Sequence, residues 1–380
     1  MKIFHLSDLH LGKRVNEFSM LDDQWDILQK IVTLAKENKP DAVFIAGDIY
    51  DKSMPIVEAV QLLDRFIVWL NELEITVFMV SGNHDSAERV AFGAELFRNS
   101  NVHIVQSYNG KINPIKFTDC FGDIYIWMLP YLKPSIVRKY FADKDINTYS
   151  DAVSSALKTA NIDTNERNVL IAHQFVTGAI TSESEELLVG SSENVNGSLF
   201  DAFDYVALGH IHRPQNIGRP TLRYSGTPLM YSFSEVNHAK SITVVEMGKK
   251  GDIEISELPL KSIRVMREIR GAYNEIMNRN NYRNTNTDDY VRIILTDEQD
   301  EPEAMAKIRN VYPNVMRLEY DNTRTRAVSL LETVASTEKK TPTELLGEFF
   351  KIQNGKPMND EQNKYTENLL TKILEDVKTL

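Results

Sequence analysis

Cysteine and long apolar runs are scarce in this chain of 380 residues, and acidic side chains outnumber basic ones. Its one cysteine, Cys120, has no partner for an internal disulfide, which fits the reducing cytoplasm. We expect its thiol to be a small buried hydrophobe in or near a strand. No apolar run approaches the ~20 residues that span a bilayer. Met1 leads directly into a predicted strand and not into a signal peptide. The sequence therefore predicts a cytoplasmic protein without a membrane segment.

Five of the eight histidines lie in short polar motifs, each at the end of an apolar run. The runs are rich in β-branched or aromatic residues, which predicts buried strands over residues 2–7, 41–46, 75–80, 168–172 and 205–208. In open α/β sheets, functional residues collect at the carboxyl ends of the strands, so the motifs can converge on one crevice. The motifs are Asp8-Leu9-His10, Gly47-Asp48, Gly82-Asn83-His84-Asp85, Ala172-His173 and Gly209-His210-Ile211-His212.

These motifs contain the ligands for two adjacent divalent metals. Asp8 and His10 are two residues apart, so on leaving a strand they point to the same side and can share one metal. The same spacing lets His210 and His212 share a site. The carboxylate of Asp48 has two oxygens, and we expect it to bridge the two metals.

The remaining polar residues of the motifs extend this site. Asn83 offers a carbonyl oxygen and His173 a neutral imidazole, and such ligands without a thiolate favour Mn²⁺, Fe or Mg²⁺ over structural zinc. His84 follows Asn83, so its side chain points elsewhere, and we expect it to protonate or orient a leaving oxygen. Asp85 is expected to hold the His84 ring or to cap the next helix. Asp51 is expected either to support the ligands or to begin a helix.

The charge balance argues against a simple nucleic-acid binder. The chain has 43 basic and 54 acidic residues and a net charge of −11, whereas such binders usually carry a basic excess or patch. Two divalent metals return positive charge to the site, and basic residues beside it can then contact phosphates. The candidates are Lys13, Arg14, Lys52 and Arg89, for each of which a solvated surface charge is the alternative.

The order of chain segments predicts an α/β fold. Strands alternate with helical spacing over residues 21–37 and 56–73, which indicates a βαβαβ core with a mostly parallel sheet. Residues 177–200 are polar and acidic and form a predicted long loop, which is either functional or a plain surface excursion. The first domain is expected to end at about residue 260.

Two further segments follow. Residues 261–335 predict a small α+β unit, with a helix over 267–277, a strand over 290–295, a helix over 302–311 and a strand over 315–320. Residues 341–380 predict amphipathic helices, whose apolar stripe must pack against this chain or a partner. One apolar cluster consists of Leu345, Leu346, Phe349 and Phe350, and a second stripe at helical spacing consists of Tyr365, Leu369, Leu370, Ile373, Leu374 and Val377.

The motif order D-x-H, G-D, G-N-H-D, H and G-H-x-H resembles that of the calcineurin-like metallophosphoesterases, over roughly residues 1–260. Longer phrases are more specific and are similar to SbcD-type nuclease subunits: M-K-I-F-H-L-S-D-L-H-L-G, A-G-D-I-Y-D, F-D-Y-V-A-L-G-H-I-H-R-P and R-Y-S-G-T-P-L-M-Y-S-F-S-E. The resemblance implies a two-sheet α/β sandwich, a DNA-capping domain at 261–335 and His84 as the catalytic histidine. It implies one metal at Asp8, His10, Asp48 and His212, and another at Asp48, Asn83, His173 and His210.

The resemblance also implies a function. It predicts an Mn²⁺-dependent DNA exonuclease and hairpin- or end-processing endonuclease that acts in DNA repair, recombination and replication. It further implies an SbcC-type ATPase partner bound by the C-terminal helices. A phosphoprotein phosphatase or small-molecule phosphodiesterase with the same metals is the first alternative, because the fold does not determine the substrate. A non-catalytic scaffold for the ATPase is the second.

The family usually forms a homodimer through helices that flank the site. In this chain those helices correspond to residues 56–72 and 88–98. The candidate contacts are Leu62, Leu63, Phe66, Leu96 and Phe97, although ordinary core packing explains the same residues.

Overall fold

The computed structural model describes most of the chain in two compact units, Met1–Met266 and Arg267–Leu380. Among the described residues, no helix is long and apolar enough to cross a membrane. For residues 96 and 97 only the backbone is described. The described residues are 1–97, 101–105, 107–185, 193–326, 346–347, 350–351, 357–359, 362–366 and 369.

The first unit contains two six-stranded sheets. The first sheet has the order β14-β13-β1-β4-β5-β6, in which β1, β4, β5 and β6 are parallel and β13 and β14 are antiparallel. Its parallel strands are near-continuous apolar runs, as expected where both faces of a sheet are covered. Its strands are β1 (Lys2–Leu6), β4 (Ala42–Ala46), β5 (Thr76–Val80), β6 (Val102–Ile104), β13 (Ser241–Met247) and β14 (Ile253–Pro259).

The second sheet has the order β11-β12-β10-β9-β8-β7. Strands β8, β9, β10 and β12 are parallel, and β7 and β11 pair antiparallel at the two edges. Its strands are β7 (Ile115–Asp119), β8 (Gly122–Leu129), β9 (Arg167–His173), β10 (Tyr205–Gly209), β11 (Gln215–Ile217) and β12 (Arg219–Tyr224). A small hairpin of β2 (Arg14–Val15) and β3 (Phe18–Ser19) lies outside both sheets.

The two sheets pack face to face around an apolar core. Phe44 and Phe78 of the first sheet meet Ile126, Ile171 and Ala207 of the second, and all five are fully buried. The Phe44 and Phe78 rings are 5.4 Å apart in an edge-to-face arrangement, a favoured geometry for aromatic pairs. The expected two-sheet α/β sandwich is therefore confirmed.

Helices cover the outer faces. In α2 the buried residues Ala59, Leu62, Leu63, Phe66 and Leu70 follow helical spacing and form one apolar stripe. The helices are α1 (Leu21–Asn38), α2 (Val57–Glu72), α3 (Ala87–Val90), α4 (Ala94–Phe97), α5 (Pro134–Val137) and α6 (Tyr149–Leu157), with 3₁₀ turns at Arg138–Tyr140, Gly197–Phe200 and Phe233–Glu235.

The second unit contains a three-stranded sheet with the order β15-β16-β17. The helix predicted over 267–277 is wrong in its first half, because that segment is a strand whose burial alternates residue by residue. The elements are β15 (Met266–Gly271), α7 (Tyr273–Ile276), α8 (Arg279–Tyr282), β16 (Tyr290–Leu295), α9 (Ala304–Arg309) and β17 (Val315–Tyr320). Most of the tail predicted as helical over 341–380 lies outside the described residues.

The prediction of a buried cysteine is wrong. Cys120 is exposed, because it lies in the turn that joins β7 to β8. Turn side chains point away from a sheet core, so a thiol there does not act as a core hydrophobe.

A buried histidine links the two sheets. The His5 ring on β1 is fully buried; its Nδ1 is 2.8 Å from the Tyr205 hydroxyl and its Nε2 is 3.1 Å from the Leu208 carbonyl oxygen. A neutral ring satisfies both contacts, with the hydroxyl donating to Nδ1 and Nε2–H donating to the carbonyl. Burial, helped by the charge of Arg223, lowers the pKa of His5 to about 3.

We therefore predict that the unfolding free energy of the His5→Gln variant falls less steeply with decreasing pH than that of the wild-type protein. Because the folded pKa lies below the unfolded value, the neutral ring contributes stability above pH ~6.5 that is lost as the pH falls toward the folded pKa. Between pH ~6.5 and ~4.5 the wild-type protein should lose up to about 2 to 3 kcal/mol more unfolding free energy than the variant. Urea unfolding across this range measures the difference, and parallel profiles would contradict the prediction.

Candidate metal centre

The carboxyl ends of strands from both sheets meet in one crevice. The segments after β1 and β4 continue to pair beyond the strands: the Asp8 N–H donates to the Gly47 carbonyl oxygen at 3.0 Å, and the His10 N–H donates to that of Asp48 at 2.9 Å. From the second sheet, the end of β10 reaches the first motif, where the His210 N–H donates to the Asp8 carboxylate at 3.0 Å. The sandwich thus brings motifs from distant parts of the chain together.

Several of these residues have left-handed backbone conformations. The φ angles are 53° at Asp8, 43° at His10, 47° at Asp48 and 109° at His210. Side chains two residues apart therefore do not follow the alternation of a strand. Asp8 and His10 share one cluster of possible metal ligands. His210 and His212 belong to different clusters, so the expectation from their spacing that they share a site is wrong.

The first cluster contains Asp8, His10 and His212, whose candidate ligand atoms all lie within 4.8 Å of one another. The Nε2 atoms of His10 and His212 face each other at 3.1 Å. An Asp48 carboxylate oxygen, Oδ2, is 3.8 Å from His10 Nε2. All of these side chains are almost completely buried.

The second cluster contains Asp48, His173 and His210. Asp48 Oδ2 is 3.4 Å from His173 Nε2. The Asn83 carbonyl oxygen completes the group, at 2.9 Å from both His173 Nε2 and His210 Nδ1. The Asp48 carboxylate therefore lies between the two clusters.

The donor set fits a cation. His173 Nδ1 donates to the Ala46 carbonyl oxygen at 2.8 Å, which leaves Nε2 with its lone pair in the neutral ring. That lone pair faces the Asn83 carbonyl oxygen and the Asp48 carboxylate. With the ring neutral, three acceptors are directed at one point and repel each other unless a proton or a metal ion lies between them.

The pKa values of the site residues are shifted by two causes, the charge of Asp48 and burial. Although burial opposes it, the Asp48 charge raises the pKa of His173 to about 9. Burial lowers the pKa of His210 to about 3 and holds that of His10 well below its usual value, so both rings are neutral near pH 7. Burial also raises the pKa of Asp8, to about 6, which still leaves it mostly ionised at neutral pH.

His84 forms a third group of possible ligands with His10 and Asp48, at the more exposed edge of the other two clusters. Its Nδ1 donates to the backbone carbonyl oxygen of Asp51 at 2.9 Å, and its Nε2 is 4.0 Å from Asp48 Oδ2. The Asp51 carboxylate is 3.7 Å from His10 Nδ1, and α2 begins only at Val57, so Asp51 lies beside the clusters and not at a helix start.

The expectation for Asp85 is wrong. It neither holds the His84 ring nor caps α3, because its carboxylate accepts backbone N–H groups from Ile49 (3.1 Å), Tyr50 (2.9 Å) and Gly82 (2.9 Å). It instead ties together the segments that carry Asp48 and Asn83.

An open cleft of about 720 Å³ adjoins His84. Lys13, Arg14 and Lys52 line it, whereas Arg89 lies outside its lining and donates to the Ser53 carbonyl oxygen at 3.1 Å. The Lys13 ammonium is 2.7 Å from the Asp51 carboxylate and is thus already paired. Arg14 and Lys52 are exposed.

Sequence reasoning missed the residues that hold the two histidines of the first cluster. The Gln24 amide donates to the His10 carbonyl oxygen at 2.8 Å and to the Tyr231 hydroxyl at 3.0 Å. A polar residue on the buried stripe of α1 was the available signal. His212 contacts Ser184 and Glu235, of which Glu235 lies in the last of the longer phrases.

The loop over 177–200 lies against the site in its described part. Ser184 Oγ is 2.8 Å from His212 Nδ1, and the Glu185 carboxylate accepts the His212 N–H at 2.7 Å. The sequence left open whether this loop is functional or only a surface loop without contact to the site. The second interpretation is wrong for residues 182–185.

The chain has clear relatives. Residues 1–214 match the calcineurin-like phosphoesterase family, and residues 262–354 match the Type 5 capsule protein repressor C-terminal domain. The SbcD subunit of the SbcCD nuclease of Staphylococcus epidermidis is 37% identical over 322 residues, which is 84% of this chain and 85% of that protein.

Two solved structures are more distant. A dimetal phosphatase from Danio rerio is 10% identical, with a TM-score of 0.40, over 69% of this chain and 98% of that chain. A protein of Thermus thermophilus is 12% identical, with a TM-score of 0.38, over 67% of this chain and 98% of that chain.

We predict that Gly209→Ala disrupts this centre. A Cβ at Gly209 would lie 1.7 Å from the Ala46 carbonyl oxygen and 2.8 Å from His173 Nδ1, so the end of β10 must shift. Equilibrium dialysis with elemental analysis should show Mn²⁺ binding at least about 10-fold weaker, as expected for displaced ligands. Gly271→Ala is the control, because its nearest new contact is an ordinary 3.4 Å. Unchanged Mn²⁺ binding in a folded Gly209→Ala variant would refute the prediction.

Proposed function

The chain belongs to the calcineurin-like phosphoesterase family, within the branch of the SbcD nuclease subunits, and from this premise we propose that it is a metal-dependent DNA nuclease. Its substrates are DNA ends and hairpins, and its reaction is hydrolysis of a phosphodiester. The observation that carries the proposal is the pair of buried ligand clusters on either side of Asp48, with His84 at their edge.

We propose two divalent cations as the cofactors, with Mn²⁺ as the best fit to oxygen and imidazole ligands. Asp8, His10, Asp48 and His212 would hold one; Asp48, Asn83, His173 and His210 would hold the other. When bound, the cations neutralise charge on the phosphoryl oxygens and lower the pKa of water.

The reaction needs a proton at the departing 3′ oxygen. A water oxygen forms a bond to phosphorus and loses a proton to solvent, the bond from phosphorus to the sugar oxygen breaks, and that sugar oxygen takes up a proton. His84 is the proposed donor, because its Nδ1 is held by the Asp51 carbonyl while Nε2 is directed toward Asp48. Asp51 and Asp85 are positioning residues in this proposal, since they bind backbone or ligand side chains.

We propose that DNA approaches through the cleft beside His84. Arg14 and Lys52 are the exposed cations there, so they are favoured over the paired Lys13 for phosphate contacts. Arg89 lies outside the cleft lining and is therefore a weaker candidate for a phosphate contact.

The second unit and the tail have separate proposed roles. We propose that residues 261–335 cap DNA and that residues 341–380 bind an SbcC-type ATPase. The match of residues 262–354 to a C-terminal domain family and the identity with the SbcD subunit of the SbcCD nuclease support these roles.

We predict that His84→Gln abolishes most DNA cleavage and leaves the metals bound. Loss of a general acid typically costs about 10²- to 10⁴-fold in rate, so cleavage of an end-labelled hairpin with Mn²⁺ should fall at least about 100-fold. The matched control is His103→Gln, whose ring stacks on Phe78 within the first sheet.

Two outcomes would contradict this proposal. Loss of bound Mn²⁺ from His84→Gln, measured by elemental analysis, would make His84 a ligand. Wild-type protein that hydrolyses a chromogenic phosphomonoester but not the hairpin would support the phosphatase alternative.

We further propose a homodimer, through different residues from those first expected. Leu62, Leu63 and Phe66 are buried in the core of their own chain, and the side chains of residues 96 and 97 lie outside the described part. The same two segments expose other apolar side chains, whose exposed fractions are 68% for Val57, 44% for Val60 and 84% for Phe92. Large apolar side chains that are exposed in this way favour a protein contact.

The dimer is tested with the double variant Val57→Ser/Phe92→Ser. Each substitution occurs twice in a two-fold interface, and burial of a Val or Phe side chain is worth about 1.5 to 3 kcal/mol. Sedimentation velocity should therefore show dimerisation weakened at least about 100-fold. Phe121→Ser, which removes a half-exposed ring in the β7–β8 turn, is the control. A wild-type protein at the 43.4 kDa monomer mass would exclude the dimer.

A further inference from the structure

One nitrogen of the His212 ring, Nδ1, contacts residues outside the two ligand clusters. Its Nδ1 is 2.8 Å from the Ser184 hydroxyl and 3.3 Å from the Glu235 carboxylate. Its other nitrogen, Nε2, faces His10 in the first cluster. The two edges of the ring thus have different partners.

Glu235 belongs to a buried ion pair. Its Oε2 is 2.5 Å from the Lys240 ammonium, and both side chains are almost completely buried. Lys240 also donates to the His212 carbonyl oxygen at 3.1 Å and to the Thr227 hydroxyl at 2.6 Å. A buried ammonium in direct contact favours the charged form of a carboxylate. The carboxylate is therefore ionised.

The direction of the hydrogen bonds follows from this charge. An ionised carboxylate only accepts, so the Ser184 hydroxyl donates to Glu235. A hydroxyl has one proton, and the Ser184 oxygen must then accept from His212 Nδ1–H. A neutral ring with its proton on Nδ1 has a bare lone pair on Nε2.

Stability alone does not account for this arrangement. Desolvation offsets most of the attraction within a buried ion pair, so an apolar pair of similar size would hold the fold about as well. A carboxylate that accepts the second ring N–H of an imidazole ligand selects the tautomer of that ring. It also makes the other ring nitrogen a stronger ligand for a cation, and an apolar pair has neither effect.

We infer that Glu235 is a positioning residue: through Ser184, and with Lys240 as its counter-ion, it fixes His212 with the proton on Nδ1 and Nε2 open to a divalent cation. The inference rests on the ligand set of the proposed function. It also explains why residues 182–185 lie against the site, since the Glu183 N–H donates to Ser234 Oγ at 3.0 Å beside Glu235.

The first test measures Mn²⁺ binding to metal-free protein. Glu235→Gln and, separately, Ser184→Ala should weaken one of two Mn²⁺ sites by about 10- to 100-fold and leave the other unchanged. Ser184→Ala keeps the Glu235–Lys240 pair intact, so it tests the inference even if Glu235→Gln does not fold.

Asp119→Asn is the matched control. Asp119 is a largely buried carboxylate paired with Arg167 at 2.6 Å. Arg167 is at the opposite end of β9 from His173. This variant should lose stability and keep both Mn²⁺ affinities. Equal weakening in Asp119→Asn and Glu235→Gln would overturn the inference, because a general loss of stability would then explain both.

The second test is spectroscopic and needs neither metal nor DNA. In metal-free protein labelled with ¹⁵N-histidine, the His212 signals should show a protonated Nδ1 and a bare Nε2, and Ser184→Ala should shift the Nδ1 signal. A proton on Nε2 in the wild-type ring would overturn the inference. Wild-type protein that passes both tests but cleaves no hairpin supports the role of Glu235 and contradicts the nuclease function.

Discussion

The buried carboxylate of Asp48 is the point around which the crevice is organised. Imidazoles from both sheets surround it, with His173 Nε2 at 3.4 Å and His10 Nε2 at 3.8 Å from its Oδ2, while its Oδ1 accepts the His84 N–H at 2.9 Å. A buried charge is costly unless it is paired, and of the surrounding imidazoles His173, whose pKa Asp48 raises to about 9, pairs it when protonated, whereas the neutral ring of His10 does not. Metal cations would neutralise the Asp48 charge and accept the imidazole lone pairs. The crevice therefore favours metal ions even in a chain of net charge −11.

The close approach of the two sheets makes this arrangement possible. Gly209, at the end of β10, lies so near the Ala46 carbonyl oxygen that no side chain fits between them. His5 adds a polar link between the sheets nearby, through Tyr205 and Leu208. Rigid strand ends therefore hold the ligands, and the packing of the sandwich determines the distances between them.

A second layer of residues orients the ligands. Backbone carbonyls of Ala46 and Asp51 hold His173 and His84 through their Nδ1 atoms. Ser184 and Glu235 contact His212 at its Nδ1 atom as well, and Glu235 is itself paired with the buried Lys240. In all three rings Nε2 is directed toward the crevice. The common orientation follows from partners contributed by unrelated segments, and it prepares the site for cations before they bind.

The sequence by itself determined the buried parallel strands of the first domain, because apolar runs of strand length are a local signal; the two-sheet sandwich was implied by the family resemblance. It also identified the motif residues that meet in the crevice, since polar motifs at strand ends are a local signal. Residue spacing did not separate His210 from His212, which lie in different clusters of possible ligands, whereas the family resemblance had already implied separate metals for them. Only the tertiary structure placed Glu235 behind His212 and Asp85 between two loops. The sequence also did not predict the exposure of Cys120, the burial of Leu62 in its own chain or the strand at 266–271. Burial depends on what packs against a residue, and that neighbour comes from elsewhere in the chain.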